Sequence, residues 1–247
     1  MLHNYYGSLC TMMYEILHKQ APRDELDFYL SYADKNHRIL EPLCGSGRFF
    51  VPFAEKGFNI CGVDSSGEML RELQRKLPGA QVEQNDILNF SAEEKFDYIF
   101  ITSGSVSLFT DIEQCKSVLR VIKGLLAAEG KFVFAVDTVA DRCADDAEYR
   151  TAVSVKTAEG FDLILKNKNR YDDRTQTQFS PGVYELYDGD KLLQSEEMDF
   201  RTHLYKFGEM ESYLREIGFS SVKAYSSFSK EIAVNDKCEM LLYECGL

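Results

Sequence analysis

A chain of 247 residues that is 45% hydrophobic can bury one sizeable core and suits a single α/β domain with elaborations. Its 28 Lys and Arg stand against 40 Asp and Glu, and a net charge of −12 disfavours tracking along a nucleic-acid backbone. The seven cysteines are odd in number and scattered, with no Cys-x-x-Cys pair and no zinc spacing, so they read as reduced thiols. No segment approaches the roughly 18 continuous apolar residues of a membrane span. Residues 1–17, with His3, Asn4 and Glu15, lack the basic leader of a signal peptide. The expected setting is cytoplasmic.

Residues 8–19 carry Leu9, Met12, Met13, Ile16 and Leu17 at helical spacing. A second helix is predicted from Pro22 to about 33, with Asp24 and Glu25 suiting its positive end. Arg38–Pro42 reads as the first strand and residues 48–56 as a helix that Pro52 shortens or kinks. Residues 59–63 form the next strand. Ser65 is expected to cap a helix bearing Met69, Leu70, Leu73 and Leu77, which stops at Pro78-Gly79. Strands follow at 80–84 and 96–102, then a long helix at 111–127, a turn at Glu129-Gly130, and a buried strand at 131–136 ending at Asp137. Strands alternating with helices predict a parallel sheet with right-handed crossovers.

Beyond Asp137 the pattern changes. Residues 151–157, 161–171, 175–187 and 191–203 alternate apolar and polar, broken by Glu159-Gly160, Asp172-Asp173 and Asp188-Gly189-Asp190. These are hairpin signals for an inserted antiparallel layer. A last helix at 208–217 stops at Gly218, and strands near 219–226 and 238–244 must return to the main sheet. The expected organisation is one domain: a helical cap at 1–36, a ligand-binding core at 37–138, an insert or lid at 139–206, and a closing helix and strands at 207–247.

The most informative stretch is Glu41-Pro42-Leu43-Cys44-Gly45-Ser46-Gly47, a strand end running into a glycine turn and then a helix. Asp64 closes the following strand, about 20 residues after the turn, as in nucleotide-binding βαβ units where an acid meets a ribose. Phe50 stands where a dinucleotide fingerprint wants its third glycine, and no phosphate loop occurs. Glu41 would repel a pyrophosphate but suits an ammonium or sulfonium group. Ligands bind beyond the carboxyl ends of such strands, where Glu41, Asp64, Asp86, Ser103 and Asp137 converge.

These residues resemble the class I S-adenosylmethionine-dependent methyltransferases of the small-molecule type, whose first motif commonly reads acidic-x-x-x-Gly-x-Gly. The resemblance covers roughly residues 37–138. It implies a Rossmann-like methyltransferase fold: a mostly parallel seven-stranded sheet with helices on both faces, here with the inserted antiparallel β layer. It also implies S-adenosyl-L-methionine as cofactor, S-adenosyl-L-homocysteine as product, and no metal. Residue by residue, it places Gly45, Ser46 and Gly47 by the methionine part, Glu41 near its amino group, and Asp64 on the ribose with Ser65 beside it. Met69 would pack near the adenine, Asp86 and Ile87 would bond its edge, and the Ser103 backbone would meet the methionine tail. Tyr6 or Tyr14 would close over the cofactor.

The implied reaction is in-line methyl transfer to a small-molecule N or O acceptor. Thr102-Ser103-Gly104-Ser105 lacks the Asp/Asn-Pro-Pro-aromatic pattern of enzymes that methylate DNA bases. Candidate acceptor or proton-handling residues in the insert are His203, Tyr184, Glu185, Arg201 and Tyr205, although a lone His in a strand is more often structural. The competing readings are a non-catalytic S-adenosylmethionine-binding module and an NAD-dependent oxidoreductase. No nucleic-acid or membrane partner is expected, and the protein is expected to be a monomer or homodimer.

Overall fold

The computed structural model describes residues 4–247; His3, part of the reading against a leader, lies outside them. The first half of the chain runs α1 (Ser8–Leu17), α2 (Arg23–Leu30), β1 (Arg38–Pro42), α3 (Phe50–Glu55), β2 (Asn59–Asp64), α4 (Gly67–Lys76) and β3 (Val82–Gln84). It continues with β4 (Phe96–Ile101), α5 (Ile112–Leu125) and β5 (Leu126–Asp137). After the insert come α6 (Glu209–Ile217), β13 (Ser221–Tyr225) and β14 (Met240–Gly246).

The main sheet has seven strands in the order β13-β14-β5-β4-β1-β2-β3. β1 to β5 pair in parallel, whereas β14 is antiparallel to both β5 and β13. Helices cover both faces, which is why β4 and β5 are apolar without alternation. On one face Val118, Leu119 and Ile122 of α5 and Leu214 of α6 pack on Phe132 and Phe134. On the other, Phe28, Tyr29, Phe53 and Leu73 from α2, α3 and α4 pack on Tyr98 and Phe100. The strand order reverses between β1 and β4, so the tips of β1, β2 and β4 splay around one crevice.

Local chemistry moves several boundaries. α3 starts at Phe50, later than expected, which puts Pro52 in the first turn where its missing N–H costs nothing. Ser66, not Ser65, caps α4: its Oγ accepts from Met69 N at 3.2 Å, because Asp64 Oδ1 already fixes Ser66 N at 2.8 Å. Glu129-Gly130 is not a turn. β5 begins directly after α5 and runs through both residues, with a register shift against β4 that accommodates them.

The insert departs most from expectation. It holds β6 (Arg150–Lys156), β7 (Asp162–Asn167), β8 (Arg170–Asp172), β9 (Thr177–Phe179), β10 (Gly182–Asp188), β11 (Lys191–Met198) and β12 (Arg201–His203). Three of the four alternating runs are each cut in two, giving sheets ordered β11-β10-β7-β6 and β12-β9-β8. Pro181, without an N–H to donate, ends one ladder, and its carbonyl accepts from Lys168 N at the matching break across the sheet. Asn169 at that break receives Ser180 Oγ on its Oδ1 and donates to Asp146, bonds that replace ladder pairing.

α1 packs on the four-stranded sheet through Leu9, Cys10 and Met13 against Leu163, Tyr184 and Met198. Its N-terminus has no local cap. Instead Glu196 of β11 accepts from Leu9 N at 3.0 Å and Cys10 N at 3.1 Å, meeting two otherwise orphaned donors and the helix's positive end. A Cβ at Gly7 would lie 2.7 Å from that carboxylate, so only glycine leaves room for it. On its other side the segment is tied to α4: Tyr5 donates to Glu68 at 2.6 Å, and Ser66 Oγ to Tyr6 O at 2.7 Å. The N-terminal segment thus bridges core and insert.

Candidate functional site

The crevice is built from strand tips held under strain. After β1, Leu43, Gly45 and Gly47 all take left-handed backbone angles, and Ser103 after β4 does the same. For Leu43 and Ser103 that conformation costs on the order of 1–3 kcal/mol each, so the surroundings must impose it. Asp64 is one clamp: Oδ2 accepts from Gly45 N and Oδ1 from Ser66 N, both at 2.8 Å. Glu25 of α2 is the other, with Oε1 accepting from Ser103 N at 2.9 Å and Ser103 Oγ at 3.2 Å. A Cβ on Gly47 would sit 2.7 Å from Leu73 Cγ, so this glycine provides the close approach to a neighbouring helix.

The resulting cavity, about 320 Å³, is lined by Leu43, Gly45, Asp64, Ser65, Met69 and Ser103, among others, and roofed by Tyr6 and Tyr14. Under its floor lies Glu41, 2% exposed, whose Oε2 meets no hydrogen-bond partner among the described residues. Burial, then the neighbouring charges of Asp64 and Glu25, hold the Glu41 carboxyl well above the usual range. Burial also raises Asp64 and Glu25, against the N–H groups that favour their charged forms. Ser46 Oγ is likewise buried without a partner. Unmet buried polar atoms cost roughly 1–3 kcal/mol each, and a ligand carrying positive charge and N–H donors would recover that cost here. Carboxylates retain acceptor sites beyond the bonds Asp64 already makes, which leaves it able to hold hydroxyls.

A second cavity, about 400 Å³, lies between α1 and the four-stranded sheet. Leu165, Asn167 and Tyr184 form part of its floor. Tyr6, Tyr14 and His18 line both cavities and so form their shared wall. Tyr6 meets Tyr14 edge-on at 6.3 Å, and the Tyr14 and His18 rings are 4.7 Å apart. Among the described residues no Asp, Glu, Lys or Arg lines this second space. Asn167 Oδ1 is buried there without a partner.

The residues singled out from the sequence divide clearly. Gly45, Asp64, Ser65, Met69, Ser103, Tyr6 and Tyr14 line the first cavity, while Glu41, Ser46 and Gly47 are not among its lining residues. Asp86 and Ile87 are not in its wall: Asp86 Oδ1 accepts from Leu88 N at 2.9 Å and Ile87 is buried in the core. Four candidates in the insert are committed elsewhere, which corrects the expectation for them. His203 is buried between Thr175 O and Glu209, and Tyr205 is fully buried against Cys115. Arg201 pairs with Asp199, and Glu185 with Lys166 on the far face of the sheet. Only Tyr184 faces the second cavity. Asp97 accepts from Arg38 N at 2.8 Å and steadies the start of β1. Glu25, Arg48, His18 and Asn167 escaped the sequence reading, because a helix-start acid, a loop Arg, a helix-end His and a strand Asn carry no local signal.

The chain resembles known proteins in this region. A sequence-family model described as a methyltransferase domain matches residues 39–130. The putative methyltransferase YqeM of Bacillus subtilis (strain 168) is 32% identical over 122 residues, 45% of this chain and about half (49%) of that protein's length. Among solved structures, an S-adenosylmethionine-dependent methyltransferase from Clostridium acetobutylicum ATCC 824 superposes with a TM-score of 0.78 at 18% identity, covering 95% of this chain and 96% of the other. CalS10, an S-adenosylmethionine-bound amino pentose methyltransferase of calicheamicin biosynthesis from Micromonospora echinaspora, gives 0.69 at 15% identity, covering 99% of each chain.

Proposed function

We propose that the chain is a class I S-adenosylmethionine-dependent methyltransferase, with S-adenosylmethionine as cofactor, that methylates a nitrogen or oxygen of a small molecule held between α1 and the insert. The observation that carries this reading is the pair of cavities meeting at one wall of Tyr6, Tyr14 and His18. One has the buried acids and strained tips suited to a cationic adenosine derivative. The other is lined without charged side chains, and on this reading residues 4–36 and 139–206 would cover the reaction. Nitrogen as the acceptor atom is supported by the similar fold of the sugar N-methyltransferase KedS8 from Streptoalloteichus sp ATCC 53650.

Asp64 would hold the ribose hydroxyls, Glu41 the ammonium group, and the Gly45-Ser46-Gly47 backbone the methionine part, with Ser65 beside the ribose. Met69 would pack on the adenine, with Asp86 and Ile87 at its outer edge, and Ser103 would meet the methionine tail. Bound there, the cofactor supplies a methyl group already activated by its sulfonium. The chain's own contribution is alignment and dryness. Tyr6 and Tyr14 bar water from the passage between cavities, and the floor of the insert holds the acceptor in line with the methyl group. Calorimetry should show binding of S-adenosylhomocysteine and none of NAD, and labelled S-adenosylmethionine should transfer its methyl group to a small-molecule fraction of a cell extract. Binding of NAD in place of S-adenosylhomocysteine, or cofactor binding without any labelled product, would overturn this assignment.

A further inference from the structure

Methylation of an N–H or O–H leaves a proton that needs a destination, and the acceptor cavity offers few. Tyr6, Tyr14, Tyr184, Cys10 and Cys143 line it, and each is held above its usual range by burial first of all, so near neutrality they keep their protons. The amides of Asn167 and Asn169 and the hydroxyl of Ser180 are not bases. His18 differs from all of these. It follows the last turn of α1 in the wall common to both cavities, half-buried, with its ring against Tyr14. Neither ring nitrogen has a hydrogen-bond partner among the described residues.

We propose that His18 is the proton acceptor of the reaction, receiving on a free ring nitrogen the proton released by the amine or hydroxyl being methylated. This rests on the reading of the second cavity as the acceptor site. Burial and then the Arg48 charge lower the His18 titration point, with Glu15 opposing; Tyr14 is the other titratable group packed on the ring. The imidazole is therefore neutral near pH 7, as a base must be. The step balances. The acceptor atom's lone pair forms the bond to the methyl carbon, and the electrons of the broken carbon–sulfur bond stay on sulfur. The acceptor's proton passes to His18, so the positive charge moves from sulfonium to imidazolium, and the imidazolium then releases the proton to solvent. His18 also faces the cofactor cavity, so it stands on the line along which that charge must travel.

The first test is nuclear magnetic resonance of ring-labelled histidine, with His18→Gln assigning the signal among the four histidines. The free protein should titrate His18 below the ordinary value of about 6.5. Saturation with S-adenosylmethionine should lower it further than saturation with uncharged-sulfur S-adenosylhomocysteine, because a sulfonium beside the ring opposes imidazolium. Equal values with the two would place His18 too far from the methyl group and sink the proposal. The second test measures labelled methyl transfer against pH, using the extract fraction that the unaltered protein methylates. The rate should climb with pH through the measured His18 value, and His18→Gln and His18→Asn should lose that climb and about 10²–10⁴-fold in rate. Both variants should keep the circular dichroism spectrum and the melting temperature of the unaltered protein, which certifies their fold. Variants that keep both the rate and the pH profile would refute His18 alone, whereas absence of product from the unaltered protein would refute the methyltransferase reading and this step with it.

Discussion

The tips of the parallel sheet and the floor of the insert present opposite kinds of surface to the same wall. The tips concentrate Glu25, Glu41 and Asp64, with two buried oxygens left unmet and two non-glycine residues forced into left-handed backbone. The floor holds no formal charge among its described residues and one unpartnered amide. The first is costly without a cationic ligand and becomes favourable when one arrives. The second costs little when open and selects by fit and hydrogen bonding. On the proposed reading, binding energy and strain collect on the cofactor side, while selection of the acceptor would fall to the insert.

That contrast breaks first at Asp64. Asp64→Ala should weaken S-adenosylhomocysteine binding at least about 100-fold by calorimetry, or about 2.8 kcal/mol at 1.4 per decade. It should also loosen the turn, since Gly45 N and Ser66 N lose their acceptor. A smaller effect follows from pH. Because burial and nearby charge raise Glu41, a ligand ammonium must draw it into its ionised form, so S-adenosylhomocysteine should bind about tenfold more tightly at pH 8 than at pH 6 and release protons on binding. Calorimetry in buffers of different ionisation heat reads both quantities.

On the insert side, Glu196→Ala removes the remote cap of α1 and should lower stability by about 1–2 kcal/mol in denaturant titration, with S-adenosylhomocysteine affinity changed less than about threefold. Asp137 adds a pH-dependent cost at the tip of β5. Burial and then Asp141 push it up to about 7, against a hydrogen bond with Ser107. A carboxyl raised in the folded state favours folding at low pH, and that contribution is lost as pH rises from about 4 through about 7. Asp137→Asn should therefore raise the melting temperature by a few degrees at pH 8 relative to the unaltered protein, and not at pH 4. The smallest expected change is for His203→Gln: no shift in S-adenosylhomocysteine affinity, since the ring is spent on Glu209 and Thr175 outside both cavities. A loss of affinity there would merge two regions that the structure keeps apart.

The cofactor side was legible because its signals are local. The glycine turn, the acid at the end of β2 and the near-continuous apolar runs within β4 and β5 all follow from residues close in the chain. The insert was legible only as alternation. Its breaks at Pro181 and Asn169 and its division into two sheets depend on cross-strand partners, and alternation cannot reveal them. Glu25 looked like an ordinary acid at the start of a helix, yet the fold buries it to 5% exposure and turns it onto Ser103, 78 residues away. His203 stood out for being a His in a strand, while His18, at the end of a short amphipathic helix, became notable only once α1 was laid between two cavities.

The most direct measurement is a crystal structure with S-adenosylhomocysteine bound. It should show the ribose hydroxyls on Asp64, the amino group within reach of Glu41, and the sulfur facing the wall of Tyr6, Tyr14 and His18. An adenosine bound anywhere else, or a sulfur turned away from that wall, would contradict the account.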